Sequence, residues 1–335
     1  MQILLYRLLV RGNGFMSKTT EVEKDKKRSI PASAPLMVFF VGLFIYFSVA
    51  SEYFFDIENF RNIAVALAVT GIVCIPGTLL MIAGQVDLSV GSAAAVSGMI
   101  MANMVNKHSI AVGLITALIF GLTLGIINGF LVTVIGVNSL ITTLGGLATL
   151  YGIALLIGNG QTVMMRNFEW LGTSQPWGVP LPVIIFTVIA IMGAISLRIS
   201  TYGRSLYAIG SNPNAARVVG IRSNRLLFIT FVLSSVGAAL AGAVLCSQLS
   251  AADPNAARGL ELEVITAIVL GGASLAGGRG SMFGTILGLC TIGILNNGLI
   301  LLDVPTFWQR VAQGLMLIIA VSFDSLRQKL NNQRS

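Results

Sequence analysis

Charge is what this sequence has least of. Only 10% of its 335 residues are Asp, Glu, Lys or Arg, while 55% are hydrophobic. Soluble domains carry about 25% charged residues, and a soluble globule of this size could not cover itself with so little polar surface. The mean hydropathy of +0.86 therefore reads as an integral membrane protein. Histidine is nearly missing too. His108 stands alone beside Lys107 in a short polar turn, and no His or carboxylate pair has the helical spacing of metal ligands. No metal site is expected. The three cysteines (Cys74, Cys246, Cys290) lie in apolar runs without CxxC spacing and read as packing residues. There is no GxxxxGK[ST] segment, so this chain has no P-loop with which to hydrolyse ATP. These absences leave an enzyme reading with nothing to stand on.

What is present is long apolar runs. A spanning helix needs roughly 20 apolar residues, and the candidates are 35–55, 62–83, 88–106, 110–135, 139–158, 179–198, 226–249, 262–277, 282–302 and 306–323. The expected fold class is an all-α integral membrane protein of about ten transmembrane helices, with both termini cytosolic. A polar tail, 1–34, precedes a membrane domain, 35–325, and a second tail, 326–335, follows it. MQILLYRLLV is too short and too Arg-interrupted for a signal-peptide core. Residues 1–15 read either as an upstream start or as a peripheral amphipathic segment.

The pI near 9.8 invites a nucleic-acid reading. With the ten spans in place, however, only Arg61, Lys107, Arg166, Arg258 and Arg310 of the 21 basic residues fall outside. That skew follows the positive-inside rule, and topology accounts for the charge. No nucleic-acid partner is expected. The lipid bilayer is the first partner.

Small residues recur at helical spacing. Gly121, Gly125 and Gly129 form a double GxxxG ridge, Gly284 and Gly288 repeat it, and Ala238 with Gly242 approximates it. Such ridges let membrane helices pack closely.

Four places carry candidate chemistry. Asp87, in AGQVDLSVGS (83–92), is an acid enclosed by apolar sequence, and it reads either as a helix-start cap or as a pathway carboxylate. VLGGASLAGGRGSMFGT (269–285) breaks the helical pattern with five glycines between 271 and 280 and sets Arg279 at the inner face, as a gate-side donor or as a positive-inside turn residue. The longest outer loop, 159–178, presents Trp170 and Trp177, which read as interface anchors or as a docking surface.

The fourth is GRSLYAIGSNPNAARVVGIRSNR (203–225), four arginines around a short terminated helix. Asn212 caps it, Pro213 suits its first position, Ala215, Ala216 and Arg217 favour it, and Gly220 can end it in the left-handed conformation. Its position between two apolar runs reads as a docking element, against a solvated basic loop.

GQVDLSVGS (84–92), YGRSLYAIGSNPNAARVVGI (202–221), LELEVITAIVLGGASLAGGRGSMFGT (260–285) and LNNGLILLDVPTFWQRVAQG (295–314) together resemble the membrane permease of ribose-type monosaccharide ABC importers. Those permeases belong to a superfamily that includes branched-chain amino-acid permeases. The resemblance covers about residues 35–325. Gln85 departs from it, since sugar permeases often have Gly or Ser there.

The resemblance implies a bacterial inner-membrane subunit, paired with a second copy or a close homologue, that imports a ribose-like sugar. It also implies an ABC ATPase, which carries the ATP and Mg, and an extracytoplasmic sugar-binding protein. This chain would need no cofactor of its own and would perform no catalysis. On the matching motifs, Asp87, Ser89 and Asn297 are expected on the translocation path. Arg204, Asn212, Pro213, Ala215, Ala216, Arg217 and Gly220 are expected in an ATPase-coupling helix within 199–225. Gly277, Gly278 and Arg279 would form an inner gate loop, and Trp170 and Trp177 would meet the binding protein. An ion-coupled secondary transporter would place several ionisable groups inside its spans, where the sequence offers only Asp87. A passive pore would not need the capped helix.

Overall fold

The computed structural model describes residues 34–165 and 168–332, so the N-terminal tail up to residue 33, Arg166, Asn167 and the last three residues lie outside the described residues. The long helices are α1 (Ala34–Ala50), α2 (Ile57–Ile82), α3 (Val90–Lys107), α4 (Ile110–Phe130) and α5 (Ser139–Ile157). After the short α6 (Trp170–Thr173) come α7 (Leu181–Ile199), α8 (Thr201–Ser211), α9 (Pro213–Val218) and α10 (Ser223–Leu249). The chain closes with α11 (Leu260–Leu270), α12 (Met282–Leu301) and α13 (Thr306–Asn332). α13 runs on through most of the expected C-terminal tail. The all-helical expectation holds except for one two-residue antiparallel pair, β1 (Val163–Met164) with β2 (Ala251–Ala252).

Among the described residues, six helices are long and apolar enough to cross a membrane: α2, α4 with its π-helical extension to Ile135, α5, α7, α10 and α12. Two expected spans differ from simple rods. The run 88–106 becomes a helix only at Val90, after an irregular stretch from Gly84 to Ser89. The run 262–277 is helical only over the 11 residues of α11. Glycine explains that early stop: Gly272, Gly277, Gly278 and Gly280 all have positive φ, which a right-handed helix cannot contain.

The glycine ridges pack as their spacing suggests. Gly121 lies on Ser235 and Ala239, Gly125 on Val232, Gly129 on Phe228, Gly242 on Ala94, and Gly288 on Ala267. A Cβ at any of these would strike the facing helix, so α4 and α10 touch backbone to backbone.

The packing has an internal order that the sequence does not display. α3 lies against α10, α4 and α5, while α11 lies against α2, α12 and α13. Exchanging α2 with α10, α3 with α11, α4 with α12 and α5 with α13 carries one set of neighbours onto the other, and α2 packs on α10 at the centre. The two short helices are equivalent in this scheme. Asp87 meets Ser234, Ala94 meets Gly242 and Gly98 meets Cys246, so α3 starts beside the middle of α10. Glu263 lies by Thr70, Cys74 approaches the Val264 carbonyl and Gly77 lies on Ile268, so α11 starts beside the middle of α2.

Candidate functional site

The start of α3 is a buried polar knot. Asp87 Oδ1 accepts from the Ser89 amide (2.9 Å) and from Ser89 Oγ (2.6 Å), while its Oδ2 accepts from Ser234 Oγ (2.9 Å). Asn128 Nδ2 donates to Ser89 Oγ at 3.2 Å. Both carboxylate oxygens are thus engaged, although the N-cap residue of α3 is Ser89, not Asp87. Ser89 Oγ donates to Asp87 and accepts from Asn128, and it makes no capping bond to the first turn of α3. Asp87 therefore ties an irregular segment to α10 rather than capping the helix itself.

Asp87 is not alone. Glu261 is buried, and its Oε2 occupies the space that a Cβ on Gly91 would need. That oxygen has no hydrogen-bond partner. With Glu263 on Thr70, three carboxylates lie inside the helical body where the sequence offered one. The sequence signal was available: Glu261 stands just before the expected span 262–277, and Glu263 is the second residue of it.

Asn297, expected on the same path as Asp87, lies far from it along the chain's long helices. It exchanges amide hydrogen bonds with Asn59 (3.1 and 2.7 Å) near the start of α2. The helix rise puts that pair about 35 Å from Ile82, the end of α2 that leads to Asp87.

The residues expected at the inner face do lie near one another. Asn212 Oδ1 accepts from the Asn214 and Ala215 amides (3.1 and 3.0 Å), Pro213 opens α9, and Gly220 ends it with φ 83°. Arg204 donates to the Ile199 carbonyl (2.9 Å), and Arg217 is exposed. Ala216 is buried at 2% exposure. It faces this chain's own interior and is no contact for a partner. The outward face of α9 carries Val218 and Val219 instead, which are 87% and 74% exposed.

α8 ends in a junction of three backbones. Gly210 lies against the Ile82 carbonyl and Gly278, Gly277 lies against Gly84, and the Gly278 amide donates to Ile82 at 2.8 Å. Tyr207 Oη donates to the Gly280 carbonyl (2.8 Å), and burial pushes its phenol up from the usual range, keeping it a neutral donor. Arg279 itself is exposed. Beside the junction a cavity of about 300 Å³ is lined by Gln85, Thr133, Asn138, Arg217 and Asn224 among others.

At the opposite end, α6 is pinned to α10: the Gly172 amide donates to Ser247 Oγ, which donates to the Phe168 carbonyl (both 2.9 Å). Trp170 and Trp177 project from this segment, and Trp177 is 92% exposed with a positive φ of 56°.

A chain of helices, two starting half-way along their neighbours and both tied by backbone to a capped surface helix, has the build of a transport subunit. Residues 59–321 match the family described as branched-chain amino acid transport system / permease component. The chain belongs to that family. It is 36% identical to the ribose import permease protein RbsC of Escherichia coli K12 over 288 residues, which is 84% of this chain and 90% of the relative. The RbsC of Bacillus subtilis is 35% identical over 319 residues (92% and 98%). The L-arabinose ABC transporter permease protein AraH of Azospirillum brasilense is 33% identical over 308 residues (91% and 90%). No solved structure matches. The relatives are permease subunits of ABC transporters, and this chain is such a multi-helix membrane permease, not an enzyme.

Proposed function

We propose that this permease imports a neutral pentose of the ribose or arabinose kind through a path formed with a second copy, in the bacterial inner membrane. The names of its relatives support the sugar, and identity over most of the chain supports carrying it across. In this reading α1, α2, α3, α4, α5, α7, α10, α11, α12 and α13 make ten crossings, with α3 and α11 crossing by a helix plus an irregular segment. Both termini and residues 199–225 are cytosolic, and the Trp170–Trp177 segment meets the sugar-binding protein outside.

The observation that carries the mechanism is the exposed apolar pair Val218–Val219 on a capped helix. Two bare valines on a polar rim fit a groove on the ATPase subunit. ATP-driven closure of that subunit would push α9, and the glycine junction would pass the push to Gly84 and Gly277. ATP and Mg remain on the ATPase.

Val218→Asp tests it. The residue is exposed, so the fold is untouched, yet an acid desolvated at an interface costs several kcal/mol, which lowers affinity by orders of magnitude. The expected result is a normally inserted permease that loses its ATPase on purification and imports nothing. Full retention of the ATPase with wild-type import sinks the docking role. Labelling of Gln175→Cys from outside and Asn214→Cys from inside checks the topology in the same preparations.

A further inference from the structure

The start of α11 holds polar groups that the coupling mechanism does not use. Glu261 is the clearest. It is 93% buried by its 7% exposure, and its Oε2 is unpartnered against Gly91 in the first turn of α3. That first turn has no side-chain cap, so its amides remain donors. Two further groups adjoin them. The Ala257 carbonyl also abuts Gly91 and accepts from Tyr151 Oη at 3.2 Å, and Arg258, the next residue, is exposed. Both Arg258 and Tyr151 are within electrostatic reach of Glu261.

Depth makes this cluster informative. Gly91 lies about 24 Å from the outer end of α3 at the rise of an α-helix, in a hydrocarbon core about 30 Å thick. A guanidinium exposed at that depth does not face lipid. It faces a path or a partner, because intramembrane charge is tolerated only there. The free valences also define what would fit. A carboxylate oxygen and a phenol accept, while helix-start amides and a guanidinium donate. A neutral group that donates and accepts at once satisfies both sets, and a hydroxyl does this.

We propose that Tyr151, Arg258 and Glu261, with the first turn of α3, form an intramembrane contact site for the hydroxyls of the passing sugar. The site rests on the sugar-permease reading above. One negative charge opposite one positive charge leaves it neutral, which suits an uncharged polyol and disfavours sugar acids. The two half-way helix starts bring the two halves of the chain to this point. Glu261 comes from one half and Gly91 from the other.

The test uses the whole complex, permease with ATPase and binding protein, in phospholipid vesicles supplied with labelled D-ribose and L-arabinose. Glu261→Gln keeps shape and removes charge, and Arg258→Gln alters an exposed side chain that folding does not need. For each variant the maximal import rate, the half-saturating concentration of loaded binding protein, ATPase retention and the melting temperature are measured. The expected result is a fall of tenfold or more in maximal rate for Glu261→Gln and three- to tenfold for Arg258→Gln. Half-saturation, ATPase retention and melting temperature should not move. Wild-type import by both variants overturns the site, and means that Oε2 holds only a water. A rate loss matched by a lowered melting temperature also overturns it, as a structural role. A wild-type complex that imports neither pentose overturns the sugar reading and the site together, whereas failure of the variants' prediction alone leaves the permease reading standing.

Discussion

The starts of α3 and α11 occupy equivalent places in the two halves of the chain, yet their carboxylates are treated in opposite ways. Asp87 spends both oxygens on Ser89 and Ser234. Glu261 leaves one oxygen without a partner. Both groups are buried, and a protein bears the desolvation cost of an ion only with compensating bonds. At Asp87 the compensation is internal and complete, so that residue holds architecture. At Glu261 it is incomplete, and the proposed sugar contact is what would complete it. A buried acid in a membrane protein is a question, and its hydrogen-bond account is the answer.

The largest effect that would break this contrast is at Asp87. Replacement by Leu strands the Ser89 amide, Ser89 Oγ and Ser234 Oγ in a buried place, at about 1–3 kcal/mol each. The sum rivals a whole protein's stability of about 5–15 kcal/mol, so Asp87→Leu should fail to accumulate. Asn keeps an acceptor for Ser89 and presents an amide to a hydroxyl that can accept, so Asp87→Asn should insert and melt only a few degrees lower. Thermal melting in detergent checks both. Equal stability of the two variants would remove the architectural role.

A smaller effect comes from Gly91. A methyl there displaces the Glu261 carboxylate and the Ala257 carbonyl, and overpacking of this kind costs about 1–3 kcal/mol. Gly91→Ala should therefore lower the melting temperature as well as import. Gly98, two turns along the same helix, is the internal control, because a Cβ there meets Cys246 at an ordinary 3.5 Å. Gly98→Ala should melt within about 0.5 kcal/mol of wild type. If the two alanines behave alike, the crowding at Gly91 is not what positions Glu261.

How far the sequence reaches depends on what kind of signal each feature leaves. Helix α9 was legible because caps are local: Asn212, Pro213 and Gly220 write its two ends within nine residues. The ridge of Gly121, Gly125 and Gly129 was legible because its period is helical. Hydropathy, by contrast, reports composition and not continuity of the helix. It ran on through 88–89 and 271–277, where apolar residues are kept company by buried backbone rather than by lipid. The same blindness moved Glu261 outside. Burial of Ala216 was hidden for a different reason: a six-residue helix has two faces of similar composition, and only packing says which one turns inward.

The smallest expected effect concerns Asn297, which the family resemblance assigns to the translocation path. Its amide is already matched by that of Asn59, two hydrogen bonds given and returned. Such a pair fixes the outer end of α2 against α12 and leaves little capacity for a substrate. Asn297→Ala removes both bonds, and the net worth of a hydrogen bond is about 1 kcal/mol. Asn59 keeps its bond to the Phe54 carbonyl at 3.0 Å, so its Nδ2 is not stranded. A loss of about 1–2 kcal/mol in stability and import within twofold of wild type are expected. The Asn59→Ala, Asn297→Ala double variant should cost little more than either single change, because one interaction is being deleted twice. Import that collapses in Asn297→Ala at normal stability would instead put a sugar contact at the outer end. The contrast between a structural Asp87 and an open Glu261 would then have to be redrawn around two sites along the path.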